Sequence, residues 1–252
     1  MDLNPFADDF IEPDPEEVEV FDAPRTTGCT YHAEVLQGSE AWLAMRCGKI
    51  TASEVKLILT PTLKIANNDK TKTHAYELAF QRITGFVEPH YVSDSMMRGK
   101  EDELYARDEY QKHFAPVEEV GFVTTDRYGF TIGYSPDGLV GDDGLIEIKS
   151  RGGKYQVQTI ANDEVPDEYV MQLQAGLLVT GRKFIDFISY CGGLPMFVKR
   201  VEPDPVIQEA IIAATIAFDA RVREIEQEYR GTIATMRKVI ETERRIDQEM
   251  YI

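Results

Sequence analysis

The sequence predicts an α/β domain with a mixed central sheet, flanked by helices and closed by a long C-terminal helix. Three observations carry that expectation. Several segments with helical spacing lie within residues 40–113. The apolar period then shortens to two between about 120 and 148, with Asp/Gly turns between the runs. A helical stretch, two more strand-like runs and a long apolar stripe after Asp204 complete the order, which is the pattern of an α/β core.

The elements follow from local chemistry. Ser39-Glu40 opens a short helix through Trp42 and Met45. Thr51-Ala52-Ser53-Glu54 is a capping box that starts a second helix, with Val55, Leu57, Ile58 and Leu59 as its apolar content. Pro61 is expected to stop it. Residues 61–72 are polar and predict a loop. Helices are then expected over about Thr73 to Ile83, ending at Gly85, and over Ser95 to His113. Val120 to Val123, Tyr128 to Tyr134 and Leu145 to Ile148 read as strands, and Gly141-Asp142-Asp143-Gly144 as a hairpin turn. A helix over Glu168 to Thr180 ends at Gly181, and Phe184 to Tyr190 and Met196 to Val201 form a strand pair through Gly192-Gly193. Asp204 is a good N-cap and Pro205 suits the first helical position. Ile207, Ile211, Phe218, Val222, Ile225 and Tyr229 keep one stripe along the last helix, and Gly231 weakens it.

The 252 residues carry 27 basic and 44 acidic side chains, a net charge of −17. Nine of the acids lie in residues 1–22, which hold no Lys or Arg; the other 35 acids against 27 bases leave a net −8. Residues 1–30 read as an acidic, disordered arm, because they lack the apolar content of a core. Residues 31–203 form the predicted domain. Residues 204–252 form the C-terminal helix, which packs on the domain and is free to project after Gly231. No apolar run is long enough to span a bilayer, and the N-terminus lacks the basic and apolar regions of a secretion signal. The expected location is the cytoplasm. Cys29, Cys47 and Cys191 fit neither a disulfide framework nor a zinc spacing, and His32, His74, His90 and His113 form no paired zinc motif. A nucleic-acid partner, for so acidic a chain, requires a local basic path or metal ions at the contact.

The stretch richest in chemistry is Gly133-Tyr134-Ser135-Pro136-Asp137-Gly138 followed by Leu145-Ile146-Glu147-Ile148-Lys149-Ser150. Alternate strand residues share a face, so Glu147 and Lys149 point one way and Ile146 and Ile148 the other. Asp137 sits at a Pro/Gly turn that is able to re-aim its carboxylate toward the next strand. Two carboxylates and an amine then converge at a strand edge. Such a set suits a hard cation, Mg²⁺ or Mn²⁺, which would polarise a phosphodiester and activate a bound water. Lys149 would orient that water and stabilise developing negative charge. Taken singly, an ExK strand is an ordinary surface ion pair and SPDG an ordinary turn; their combination is what carries information.

Asp137 with Glu147-Ile148-Lys149 resembles the signature of the PD-(D/E)XK nuclease superfamily, which has a restriction-endonuclease-like core. More of the chain resembles one branch, the phage lambda exonuclease / YqaJ-type viral recombinase family. The blocks are Trp42 to Arg46 with Gly48 to Glu54, Gly99 to Glu103, the SPDG–EIK pair and Tyr169 to Gln174, in family order across about residues 36–182. One departure is Arg98, which stands where the phage lambda enzyme has an aromatic residue. The resemblance implies metal ligation by Asp137, Glu147, the Ile148 carbonyl and Glu103. It also implies a catalytic Lys149, an active-site Gln172, and a 5′-phosphate site at Arg46 and Ser53. Without the resemblance, Glu103 is an exposed helix carboxylate beside Lys100 and Arg107, Ser53 a simple cap and Arg46 a surface ion pair. Tyr169 lies one turn before Gln172 and either lines a DNA path or is half-buried packing. The resemblance further implies 5′-to-3′ degradation of double-stranded DNA ends with two Mg²⁺ ions per site, Mn²⁺ substituting. It implies a ring-shaped homotrimer and a single-strand-annealing recombinase as partner.

Overall fold

The computed structural model describes residues 28–88 and 94–244, with the side chains of residues 94–96 excepted. Residues 1–27 of the expected 1–30 arm, His90 and the end of the chain after residue 244 lie outside the described residues, whereas Cys29 and Thr30 of that expected arm belong to a strand. The order is β1 (Cys29–His32), α1 (Glu40–Arg46), β2 (Ile50–Thr51), a 3-10 turn (Ala52–Glu54), α2 (Val55–Ile58), α3 (Asp69–Thr84) and α4 (Asp94–His113). It continues with β3 (Phe122–Thr125), β4 (Ile132–Tyr134), β5 (Gly138–Val140), β6 (Gly144–Ser150), α5 (Gly153–Asn162) and α6 (Asp167–Thr180). The last elements are β7 (Phe184–Tyr190), β8 (Phe197–Val201) and α7 (Pro205–Thr235).

The strands form two four-stranded mixed sheets rather than one central sheet, ordered β1-β3-β4-β2 and β5-β6-β7-β8. The break falls at Ser135-Pro136-Asp137, between β4 and β5. Proline has no N–H to give to a ladder, so pairing does not run straight through. In the second sheet β6 is antiparallel to β5 and parallel to β7. Leu145 faces the larger core, with Leu173 of α6 and Phe187 of β7. Ile146 and Ile148 face a smaller core formed with Ala106 and Tyr110 of α4. The expected division of β6 into an apolar face and a Glu147/Lys149 face is therefore observed.

Helix boundaries show where local signals prevailed and where they did not. The Thr51–Glu54 capping box forms, with Glu54 Oε2 accepting from the Thr51 N–H at 2.9 Å. The helix it starts ends at Ile58, before Pro61, because Leu59 turns extended and bridges Ile65. Helix α3 begins at Asp69, four residues before the expected Thr73, since the Asn68 side chain caps it by accepting from the Thr71 N–H. Helix α7 runs through Gly231 but stops at Thr235, short of the expected residue 252, because Met236 turns extended. Helix α5 was not expected at all.

Helix α6 packs between the sheets and presses on the Tyr134 ring at Gly176. A Cβ there would lie 2.8 Å from two ring carbons of Tyr134. Gly176→Ala is expected to destabilise the fold by about 1–3 kcal/mol, the usual cost of overpacking. A urea denaturation midpoint unchanged from wild type would show that α6 shifts freely away from Tyr134.

Candidate active site

The Ser135-Pro136-Asp137 turn is held from three sides. The Trp42 indole Nε1 donates to Ser135 Oγ at 2.8 Å, and Gln37 Nε2 donates to the Pro136 carbonyl at 2.8 Å. From α4, Arg107 Nε donates to the Asp137 carbonyl at 3.0 Å. The turn thus aims Asp137 at β6, where its Oδ2 accepts from the Ile148 N–H at 2.6 Å. A strand residue's N–H and C=O leave on the same edge, so the Ile148 carbonyl also leaves β6 on the Asp137 side.

Glu147 is nearly fully buried and carries three donors. Tyr134 Oη donates to its Oε2 at 2.6 Å, and Lys149 Nζ donates to Oε1 at 2.6 Å. Gln172 Nε2 of α6 also donates to Oε1. Burial and the neighbouring Glu147 and Glu103 carboxylates raise the Asp137 carboxyl well above the usual aspartate range. Glu103, on α4, is raised by burial and by Glu147 against the pull of Arg107 and Lys149. For Lys149 burial acts downward, but Glu147 and Asp137 more than offset it and hold the ammonium above the ordinary lysine range. The structure brings Asp137, Glu147, Lys149, Gln172 and Glu103 into one electrostatically coupled group. Even so, among the described residues no three His, Cys, Asp or Glu side chains form a preassembled metal cluster. Glu103 is engaged by Arg107 and Glu147 by its three donors.

The other predicted residues lie on either side of this group. The Arg46 guanidinium stacks 4.4 Å from the centroid of the Trp42 ring, and its Nη2 donates to Thr51 Oγ1 at 3.3 Å. Thr51 Oγ1 also lies 3.3 Å from Ser53 Oγ. Arg46 forms no ion pair among the described residues, which departs from the surface-pair alternative. Tyr169 packs on Phe187, with ring centroids 5.5 Å apart. Lys149 Nζ lies 5.6 Å from the Tyr169 centroid, and Arg151 Nη1 donates to its hydroxyl at 2.7 Å.

Tyr134, Arg107 and Trp42 position the site and were not singled out for that by the sequence. Arg107 had a signal, its four-residue spacing from Glu103 on a helix. Trp42 and Tyr134 act through partners 93 and 13 residues away, respectively, and no periodicity encodes such contacts.

The YqaJ-like viral recombinase domain matches residues 41–183, a span that contains every residue of this group. The chain belongs to that family. It is 34% identical to an alkaline exonuclease from Laribacter hongkongensis, LHK-Exo, over 78% of this chain and 98% of that one, with a TM-score of 0.70. A second structure of LHK-Exo, in complex with dAMP, matches equally. A phage-related exonuclease from Haemophilus somnus 129PT shares the fold at 14% identity and a TM-score of 0.51, over 72% of this chain and 96% of that one. No curated protein sequence matches the chain. The expected PD-(D/E)XK-type α/β core is thus the fold of this YqaJ-family protein, with its long C-terminal helix. Among the described residues no helix is long and apolar enough to cross a membrane.

Proposed function

We propose that the protein is a Mg²⁺-dependent exonuclease that enters double-stranded DNA at an end and degrades one strand 5′ to 3′. The product would be a 3′ single strand for phage-type homologous recombination. The observation that carries this reading is the convergence of Asp137, Glu147 and Lys149 beside Gln172. It occurs in a chain 34% identical to an alkaline exonuclease.

Asp137, Glu147 and the Ile148 carbonyl, with Glu103 facing them from α4, would hold the metal, as two ions with Mn²⁺ able to substitute. The donor set fits, because it offers only oxygen atoms, the preference of Mg²⁺. Burial raises Asp137 and Glu103 most, the Glu147 carboxylate adds to the rise of both, and a divalent cation at the group would relieve that penalty on their charged forms. Bound there, the metal supplies Lewis acidity and a water of lowered pKa. Tyr134 and Gln172 fix the Glu147 carboxylate. Lys149 binds an oxygen of the scissile phosphate and stabilises the charge that builds on it. Arg46, held flat by Trp42, takes the 5′-terminal phosphate with Ser53, and Tyr169 lines the strand's path.

Family membership also supports a homotrimeric ring, a single-strand-annealing recombinase as partner and a cytoplasmic location. A net charge of −17 is compatible with a ring whose inner wall alone is basic.

The test compares linear duplex with covalently closed circular DNA. With Mg²⁺ the linear form is expected to be degraded and the circle to survive, and a chelator is expected to stop the reaction. Cleavage of the circle would replace this reading with an endonuclease. Activity in excess chelator would remove the metal from it. In the same assay wild type is expected to prefer 5′-phosphorylated over 5′-hydroxyl ends, and Arg46→Ala to lose that preference. A preference that survives in the variant would move the phosphate contact elsewhere.

A further inference from the structure

Helix α4 brings Glu103 to the catalytic group, yet little apolar surface holds it there. Among its described side chains only Ala106, Arg107 and Tyr110 are buried. Ala106 and Tyr110 enter the smaller core, against Ile146 and Ile148 of β6 and Ile188 of β7. Apolar burial is non-directional, so a contact this small does not fix how the helix is turned about its axis. Directional bonds have to do that.

The polar ties lie on one face of α4. Asp102, Glu103, Arg107 and Tyr110 follow its three- and four-residue spacing. Close to the site, Ser150 Oγ donates to Asp102 Oδ2, and Arg107 Nε donates to the Asp137 carbonyl. About two turns beyond Glu103, the Tyr110 hydroxyl donates to Asp186 Oδ2 at 2.7 Å.

Asp186 is itself a fixed acceptor. On β7 it stands in register with Ile146 of β6 on one side and Arg200 of β8 on the other. Arg200 holds both carboxylate oxygens, Nε donating to Oδ1 at 2.8 Å and Nη2 to Oδ2 at 2.9 Å. The guanidinium in turn lies 3.6 Å from the centroid of the Phe184 ring. Asp186 is only 3% exposed. A buried ionic group adds little stability over well-packed apolar side chains of the same volume. What it adds here is direction, because Tyr110 is tied to an acceptor that three paired strands hold still.

We propose that Tyr110 is a positioning residue for the metal site: anchored on the Asp186–Arg200 pair, it sets the rotation of α4 and so keeps the Glu103 carboxylate turned toward Asp137. The proposal rests on the reading of Glu103 and Asp137 as metal ligands.

The test is Tyr110→Phe in the full chain. The variant loses one hydroxyl, and Arg200 still pairs both Asp186 oxygens, so no buried charge is orphaned and the protein should fold. Mn²⁺ binding without DNA, read by electron paramagnetic resonance, is expected to weaken about tenfold, the usual size of a lost outer-shell contact. In a Glu103→Gln background the same substitution is expected to weaken it no further. A general loosening of the fold would weaken binding in both backgrounds, and that result would overturn the proposal. So would a Tyr110→Phe isotherm equal to that of wild type. Hydrogen exchange of the metal-free proteins is the second readout, and the α4 amides at 103–110 should exchange at least about fivefold faster in the variant. Unchanged exchange would overturn the anchoring whatever the metal does. A wild type that binds no Mn²⁺ but shows the exchange difference would sink the metal reading and leave Tyr110 as the anchor of α4.

Discussion

Asp137→Asn is expected to raise the stability of the metal-free protein while abolishing strand degradation. The carboxyl is buried, and its charge is disfavoured first by burial and then by Glu147 and Glu103. An amide removes that charge but keeps an oxygen to accept from the Ile148 N–H, so the turn stays in place. The gain should be about 0.5–2 kcal/mol, the usual size when a functional strain is released. The loss in rate should be about 10²-fold or more, because an anchor for transition-state charge is gone. Thermal melting without metal and degradation of linear duplex with Mg²⁺ measure the two effects. Adding Mg²⁺ should stabilise wild type by mass action and the variant far less, narrowing or reversing their order. A variant that melts earlier than wild type without metal, yet still degrades DNA, would show that Asp137 is merely a structural acid.

Lys149→Ala is expected to lower the degradation rate by about 10²- to 10³-fold with little change in the affinity for ends. The ammonium sits between Glu147, 2.6 Å away, and the Tyr169 ring. Its removal takes one of three donors from Glu147, and Tyr134 and Gln172 remain. The fold should therefore survive with a loss of about 1–3 kcal/mol. A rate within a few-fold of wild type, at an unchanged melting temperature, would place the phosphate-stabilising group elsewhere.

What the sequence made legible was local. The Glu147/Lys149 face follows from strand alternation, and the hairpin over Gly141 to Gly144 from turn chemistry; both stand as expected. Asp137 could be placed because Pro136 and Gly138 flank it. Gln172, by contrast, was reached only through family resemblance, since its contact spans 25 residues. Helix α5 misled the pattern for a specific reason. Its buried face is polar, with Gln156 and Thr159 inward, while Tyr155, Val157 and Ile160 are exposed. Its apolar side chains point outward, so no inward apolar stripe marks the segment as a helix. The split into two sheets escaped notice because it depends on how β4 continues past Pro136, not on either strand's own residues.

The central claim is that the Asp137–Glu147–Lys149 group removes nucleotides from the 5′ end of duplex DNA. The most direct measurement follows separate 5′- and 3′-end labels on linear duplex with Mg²⁺, using wild type and Lys149→Ala purified in parallel. The account predicts early release of the 5′ label by wild type, a 3′ label that stays on the strand at those times, and almost no release by the variant. Release of the 3′ label first, or equal release by the variant, would contradict it.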